Sequence, residues 1–211
     1  EYAVKEPSAV TPAPETTLGL KYSMAHFYVA DSGEPADAPH WLKQSQEKLA
    51  KLQKQLNRMQ PGSRNYQEGV QKYRLLHEHI VNQRRDFIHK ESSRIANGWD
   101  AVCVRDDDLQ EMAREIKLGN MSDAGFGLFR EFLRYKLARQ GKALIMVDRY
   151  APTSRTCSAC GLILDDAIHY KKRIWTCPRC GVVHSREVNA AKNIKAQGLA
   201  QYFSMQKREA A

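Results

Sequence analysis

The chain has 211 residues, with 33 Lys and Arg against 24 Asp and Glu, a formal net charge of +9 and a pI near 9.3. That length suits one domain, or one with a small appendage, and a hydrophobic content of 42% excludes wholesale disorder. No run approaches the ~18 apolar residues of a membrane span, and the five cysteines are an odd number that disfavours a simple disulfide framework.

The opening residues, Glu1 to Glu6, lack the charged-then-apolar layout of a secretory signal, so a soluble, cytoplasmic protein without a membrane partner is expected. Its charge is uneven: residues 1–40 sum to −4, 41–94 to +7, 95–151 to zero and 152–211 to +6. Two basic blocks are compatible with two surfaces facing a polyanion, and equally with two solvated helical faces.

In chain order, residues 1–14, with Pro7, Pro12 and Pro14, read as a lead-in or linker. Thr16–Lys21 is followed by Met24–Gly33, rich in β-formers and closing on Asp31-Ser32-Gly33, a hairpin strand with its turn. Residues 42–60 read as a helix with Leu42, Leu49, Leu52, Leu56 and Met59 on one stripe. Pro61-Gly62-Ser63 breaks it, and a second helix runs from about Asn65 to Ile95 with Val70, Tyr73, Leu76, Ile80 and Phe87 as apolar positions. Together they predict a helical hairpin over 41–95 with a basic exterior. Asp100–Val104 and Ala143–Val147 read as buried strands. Between them lie a short helix at Met112–Lys117 and a longer one capped by Ser122-Asp123 and ending near Gln140-Gly141. Strand, helix, strand in this order predicts a mixed α/β domain.

The sharpest chemical signal is Cys157-Ser-Ala-Cys160 and Cys177-Pro-Arg-Cys180, two C-x2-C turns with 16 residues between them. Each turn presents two thiolates to one ion, and two turns complete a tetrahedral four-sulfur zinc site. Gly161 and Gly181 follow the second cysteine of each pair, where a residue tolerant of positive φ is needed. Four thiolates leave no open position for water, so the expected zinc is structural. His184 or His169 could replace one thiol, and disulfides are the plain alternative. Cys103, inside an apolar run, is expected to pack rather than ligate.

The cysteine pattern, Trp175-Thr-Cys-Pro-Arg-Cys-Gly181, and the following His184-Ser-Arg-Glu-Val-Asn-Ala-Ala-Lys-Asn-Ile194 closely resemble the end of the TnpB family, transposon-encoded RNA-guided DNA nucleases related to the type V CRISPR effectors. Asn82-Gln-Arg-Arg-Asp-Phe-Ile-His-Lys90 resembles the family's N-Q-R-x-D-F-x-H-K segment, Leu18-Gly-Leu-Lys21 the end of its D-x-G-x-K strand motif, and Asp123-Ala-Gly-Phe-Gly127 also fits. The resemblance implies an RNase H-like (RuvC) domain over 15–150 with the hairpin 41–95 inserted, a zinc ribbon at 151–183, a final RuvC helix at 184–197 and a tail at 198–211. It also implies a family activity, Mg²⁺-dependent DNA cleavage, in which three acidic residues hold two ions.

Aligned on these motifs, the first family Asp falls on Thr17, the second acid on Arg105 and the third on Glu187, with Ser185 at the preceding Asp of the last motif. A neutral, a cationic and a longer acidic residue would not hold Mg²⁺ productively, and Asp107, two residues from Arg105 along a strand, is the possible substitute. The resemblance therefore implies a nuclease-dead, RNA-guided DNA-binding protein with no catalytic residues, acting as a transcriptional repressor and nucleoid-associated. Guide RNA and target DNA are its implied partners. The expected backbone contacts are Lys43, Lys51, Lys54, Arg58, Arg84, Arg85 and Lys90 on the hairpin and Lys171, Lys172 and Arg173 on the ribbon. The alternatives are an active RNA-guided endonuclease and a zinc-ribbon nucleic-acid-binding module without a guide. Because the first strand motif starts near residue 15, two expectations stand side by side: the chain is a fragment or separately made C-terminal part, or the family's N-terminal half comes from a companion chain or from a second copy in a homodimer.

Overall fold

The computed structural model describes residues 14–23, 26–36, 40–108, 125–165 and 172–209, the side chains of 40–44 excepted. The chain divides into two compact units, Ala38–Glu91 and a second unit formed by the segments on either side of it.

The larger unit is built on a five-stranded sheet in the order β3-β2-β1-β4-β5. The strands are β1 Thr17–Tyr22, β2 Tyr28–Ala30, β3 Pro35–Ala36, β4 Ala101–Arg105 and β5 Ala143–Val147. The first three form an antiparallel meander, whereas β4 and β5 run parallel to β1. Ala101 to Val104 are fully buried, as expected of a central parallel strand covered on both faces.

One face is covered by the last helix, here α4, Arg186–Glu209. A Cβ on Gly19 would stand 2.4 Å from the Ala191 carbonyl oxygen and 2.7 Å from Lys195 Cβ. A Cβ on Gly198 would stand 2.5 Å from Cys103 Sγ. Small residues on both elements therefore set how closely helix and sheet approach. Ala101, Cys103, Ile145, Val147 and Ile194 form the resulting core. Asp31 reinforces the contact: its carboxylate accepts from the Gly19 N–H at 2.9 Å and pairs with Lys195 Nζ at 2.9 Å.

The opposite face is aromatic. Helix α3, Phe126–Arg139, stacks Phe126 on Tyr22 (centroids 4.7 Å apart) and Phe129 on Tyr28 (5.8 Å), with Phe27 edge-on to Phe129 at 5.0 Å. The residues from Ser92 onward lock on by polar contacts. Lys136 Nζ donates to Ser92 and Ser93 Oγ at 2.7 and 2.8 Å, Lys142 Nζ to the Ala96 carbonyl at 2.7 Å, and Arg94 to the Tyr28 hydroxyl at 2.7 Å.

The smaller unit is the expected hairpin, α1 His40–Leu56 and α2 Arg64–Gly98, the latter continuing into the larger unit. Gly62 turns with φ 84°, and Ser63 Oγ caps α2 by accepting from the Tyr66 N–H at 3.2 Å. Gly69 lets Leu56 close in, since a Cβ there would meet its Cδ2 at 2.7 Å.

Three boundaries differ from expectation. Helix α1 stops at Leu56 rather than 60, because Arg58 and Met59 close turns on Gln55 and Leu56 instead of continuing the ladder. Helix α2 runs to Gly98. The final helix does not end at 197 but reaches Glu209, so 198–209 is helix and not tail. Helix α3 is entered through Gly125 at φ 71°; the expected Ser122-Asp123 cap and the 112–117 helix lie outside the described residues, as do Met24 and the 1–13 lead-in. No described helix is long and apolar enough to cross a membrane.

The helix–sheet contact yields a stability prediction. Gly19→Ala must push back either the Ala191 backbone or the Lys195 stem, and overpacking of this kind costs about 1–3 kcal/mol. Urea unfolding is expected to show the unfolding free energy falling by that amount and the midpoint by that amount divided by the m-value, while Gly62→Ala, with open space around it, carries only a positive-φ penalty.

Candidate functional site

Two sites share the larger unit. The first is the four-cysteine cluster. Cys157, Cys160, Cys177 and Cys180 place their sulfurs within 4.8 Å of one another and could hold a metal ion such as zinc. The Cys157–Cys180 and Cys160–Cys177 sulfurs are 3.7 Å apart. Four sulfurs at ~2.3 Å from one zinc ion define tetrahedral edges of about 3.8 Å, so the donors fit that ion. All four are free thiols, which sets the disulfide alternative aside.

The two turns are near copies. Gly161 and Gly181 take φ 75° and 73°, and each donates its N–H to the carbonyl of its Cys157 or Cys177 at 2.9 Å. Strands β6 Ile174–Thr176 and β7 Val183–Ser185 pair antiparallel beside them. Burial opposes ionisation of Cys177, but the N–H groups of Cys180 and Arg179 outweigh it and bring the thiol down to about 6. A thiolate is thus prepared at neutral pH. His184 supplies no fifth ligand. Its ring lies tilted against Trp175 with centroids 4.8 Å apart, and its Nε2 lies 3.1 Å from Cys157 Sγ, in hydrogen-bonding range of that sulfur. His169 lies outside the described residues. Cys103 is fully buried, and burial pushes its thiol up to about 12, so it packs and does not ligate.

The cysteine cluster is tied to α4 by two asparagines. Asn189 Oδ1 accepts from the Ser158 N–H at 2.9 Å, and its amide donates to the Thr156 carbonyl at 2.7 Å. One turn along α4, Asn193 donates to the carbonyls of Thr153 and Thr156 at 2.8 and 2.7 Å. Both are buried. The N-A-A-x-N-I pattern therefore has a physical content: asparagines grip the loop before the first cysteine, and alanines let α4 lie against β1.

The second site is a charged cluster at the C-terminal ends of β1 and β4, where ligands bind in open α/β sheets. Arg105 Nε donates to Asp107 Oδ1, and Lys21 Nζ lies 3.7 Å from Asp107 Oδ2. The side chains are 21%, 12% and 5% exposed for Arg105, Lys21 and Asp107. Glu187, in the first turn of α4, accepts from Ser23 Oγ at 2.6 Å, and Arg186 and Glu187 lie close enough to act on the Lys21 charge. Burial, opposed by Asp107, brings the Lys21 amine down to about 8, so it is still a cation at neutral pH.

Thr17 is not part of this cluster. In the parallel register Thr17 faces Ala101 and Leu20 faces Val104, so Lys21 comes level with Arg105 while Thr17 sits four residues back, about 13 Å along the strand. The β1 residue that meets Arg105, Asp107 and Glu187 at one edge is Lys21. This corrects the sequence-based placement. The motif alignment used Gly19 and Lys21 as anchors, and the strand register makes the anchor itself the site residue. Lys21 opposes a divalent ion here: at about 4 Å from one buried monovalent cation, and an effective dielectric constant of 20, repulsion is about 8 kcal/mol, which the Asp107 and Glu187 carboxylates would have to offset. The positive end of the α4 dipole acts in the same sense.

Comparison with known proteins places the chain. The OrfB_IS605 family model, described as "Probable transposase", matches residues 1–115, more than half of the sequence, and the "Cas12f1-like, TNB domain" model matches 126–194. The chain belongs to the TnpB family. Among its relatives, the "Putative RNA-guided DNA endonuclease" of Streptomyces pristinaespiralis is 35% identical over 194 residues, covering 90% of this chain and 48% of that protein. The "Putative RNA-guided DNA endonuclease InsQ" of Escherichia coli is 29% identical over 201 residues, covering 87% and 49%. This TnpB-family chain thus spans about half the length of those relatives. Among solved structures, a chain of a Cas12f1–sgRNA–target DNA complex shares the fold, with a TM-score of 0.59 at 20% identity over 87% of this chain and 50% of that one.

The candidate backbone-contact residues have different surroundings. On the hairpin of this TnpB-family chain, Lys51, Lys54, Arg58 and Arg85 are exposed and Arg84 is half-buried; Lys90 is exposed and pairs with Asp86 at 2.7 Å. Lys172 and Arg173 are exposed beside β6. Lys171 and the Lys43 side chain lie outside the described residues.

Two outcomes are expected. The folded state releases the Lys21 proton near pH 8 and the unfolded state near 10.5, so between those values the unfolded chain binds more protons and stability must rise with pH. A plot of wild-type minus Lys21→Met unfolding free energy is expected to climb from about pH 8 upward; a flat plot would exclude the burial described. Separately, stripping the metal with a strong chelator, or Cys177→Ser, is expected to abolish stoichiometric zinc and open 157–185 to limited proteolysis.

Proposed function

We propose that the chain is the RuvC-like and zinc-ribbon part of an RNA-guided DNA-binding protein that does not cut its target and represses transcription by occupying it. The observation that supports the reading is the pairing of Lys21 and Arg105 with Asp107 at the sheet edge, where positive charge opposes the Mg²⁺ ions that cleavage in this family requires. The RNase H-like assignment rests on the strand order, an antiparallel meander extended by two parallel strands, and on a last helix whose N-terminus reaches the same edge. Guide RNA and target DNA are proposed as partners because relatives are named RNA-guided DNA endonucleases and a structural neighbour was solved with both.

In this reading the bases of the hairpin and ribbon hold the nucleic-acid backbone, while base pairing supplies the sequence. Zinc, closed off by four thiolates, keeps the ribbon folded and does no chemistry. The protein acts in the bacterial cytoplasm, on the nucleoid.

The test is to purify the chain with the RNA that accompanies it in its host, sequence that RNA, and incubate the complex with matched DNA and Mg²⁺. One enriched RNA species and retarded but intact DNA are expected. Cleavage that disappears in Asp107→Ala and Glu187→Ala would overturn the reading in favour of an active endonuclease. Absence of any defined RNA would favour a ribbon module working without a guide.

A further inference from the structure

We infer that Lys21 and Arg105 are built-in counter-cations that stand where the resemblance implies divalent ions, balancing the charge of this sheet edge without a metal. A metal centre at the ends of β1 and β4 and the start of α4 has two tasks. It neutralises carboxylates that would otherwise repel one another, and it ties three elements together. Both tasks are performed here by side chains. Asp107, 5% exposed, has one oxygen hydrogen-bonded by Arg105, while the other accepts no hydrogen bond and faces the Lys21 amine at 3.7 Å, so β1 and β4 are joined by charge through one carboxylate held between two cations. Glu187 joins α4 to the same edge through Ser23 Oγ at 2.6 Å, and its charge acts on Lys21 together with that of Arg186.

The sum over the cluster is three cations, Lys21, Arg105 and Arg186, against two anions, Asp107 and Glu187. No negative charge is left over to recruit a divalent ion, whose ligands must be anionic oxygens free to turn toward it. A buried carboxylate deprived of its cation is costly, so the two substitutions at 21 and 105 support each other. With either cation alone, Asp107 would keep half of its pairing, and with neither it would need a metal. The inference rests on reading this edge as the family's metal position. Its test uses no nucleic acid, so either reading can fail without the other.

The probe is Mn²⁺, titrated into the zinc-loaded full-length chain and followed by water-proton relaxation and by the thermal midpoint. Wild type is expected to bind no Mn²⁺ at this edge and to keep its midpoint. Lys21→Asp with Arg105→Glu is expected to gain one Mn²⁺ per chain, to unfold earlier than wild type without Mn²⁺ and to recover with it. Adding Asp107→Asn is expected to abolish that gain. Stoichiometric Mn²⁺ binding by wild type that is lost in Asp107→Asn would overturn the inference, as would a folded double variant that binds none. Should the double variant not fold, wild type decides through a double-mutant cycle between Lys21→Met and Asp107→Asn. Coupling that Mn²⁺ leaves unchanged supports the inference, and its absence overturns it.

Discussion

The close approach of the last helix to the first strand is the constraint on which the rest of the unit depends. Gly19 and the Ala191 carbonyl are the contact points, and a side chain at 19 would have to displace that backbone. Every other feature of the site is referred to that contact. Asn189 and Asn193 lie one turn apart on the same helix and grip the loop leading to the first cysteine, so the ribbon inherits its position from α4. Glu187 precedes Ala191 by one turn, which brings its carboxylate to the end of β1. A helix a few tenths of an ångström further from the sheet would loosen the ribbon anchor and the charged edge together.

On the proposed reading, the charged edge is a site that has lost its chemistry and kept its architecture. Removing an acid from a metal centre usually leaves buried carboxylates without a partner, which is destabilising. On the same reading, Lys21 and Arg105 place positive charge on the protein itself, inside the reach of the remaining acids, and the fold is kept without an ion. Two of the chain's 33 basic residues are thereby committed to the interior of the larger unit and contribute little to any polyanion-facing surface.

Much of the architecture was legible before any coordinates. The Ala143–Val147 strand, the helix break at Pro61-Gly62-Ser63 and the four-cysteine cluster follow from apolar runs, turn formers and C-x2-C spacing, all of which are local signals. What escaped was non-local. The extent of α4 past 197 was hidden because Gly198 looks like a stop, whereas it is a contact point against Cys103. The roles of Lys21 and Ser23 depend on strand register, set by pairing with a β4 more than eighty residues away. Asn189 and Asn193 could have been found: two amides four residues apart on one helix face, in a segment otherwise made of small and apolar residues, signal buried hydrogen bonding.

Cys103 carries a consequence of a different kind. Its thiol is sealed between β4 and α4 and held in the unreactive form, while the other four cysteines of the chain belong to the metal cluster. The five thiols are thus two separate clocks in one molecule. Alkylation at the cluster keeps time with metal release, and alkylation at position 103 keeps time with separation of the last helix from the sheet.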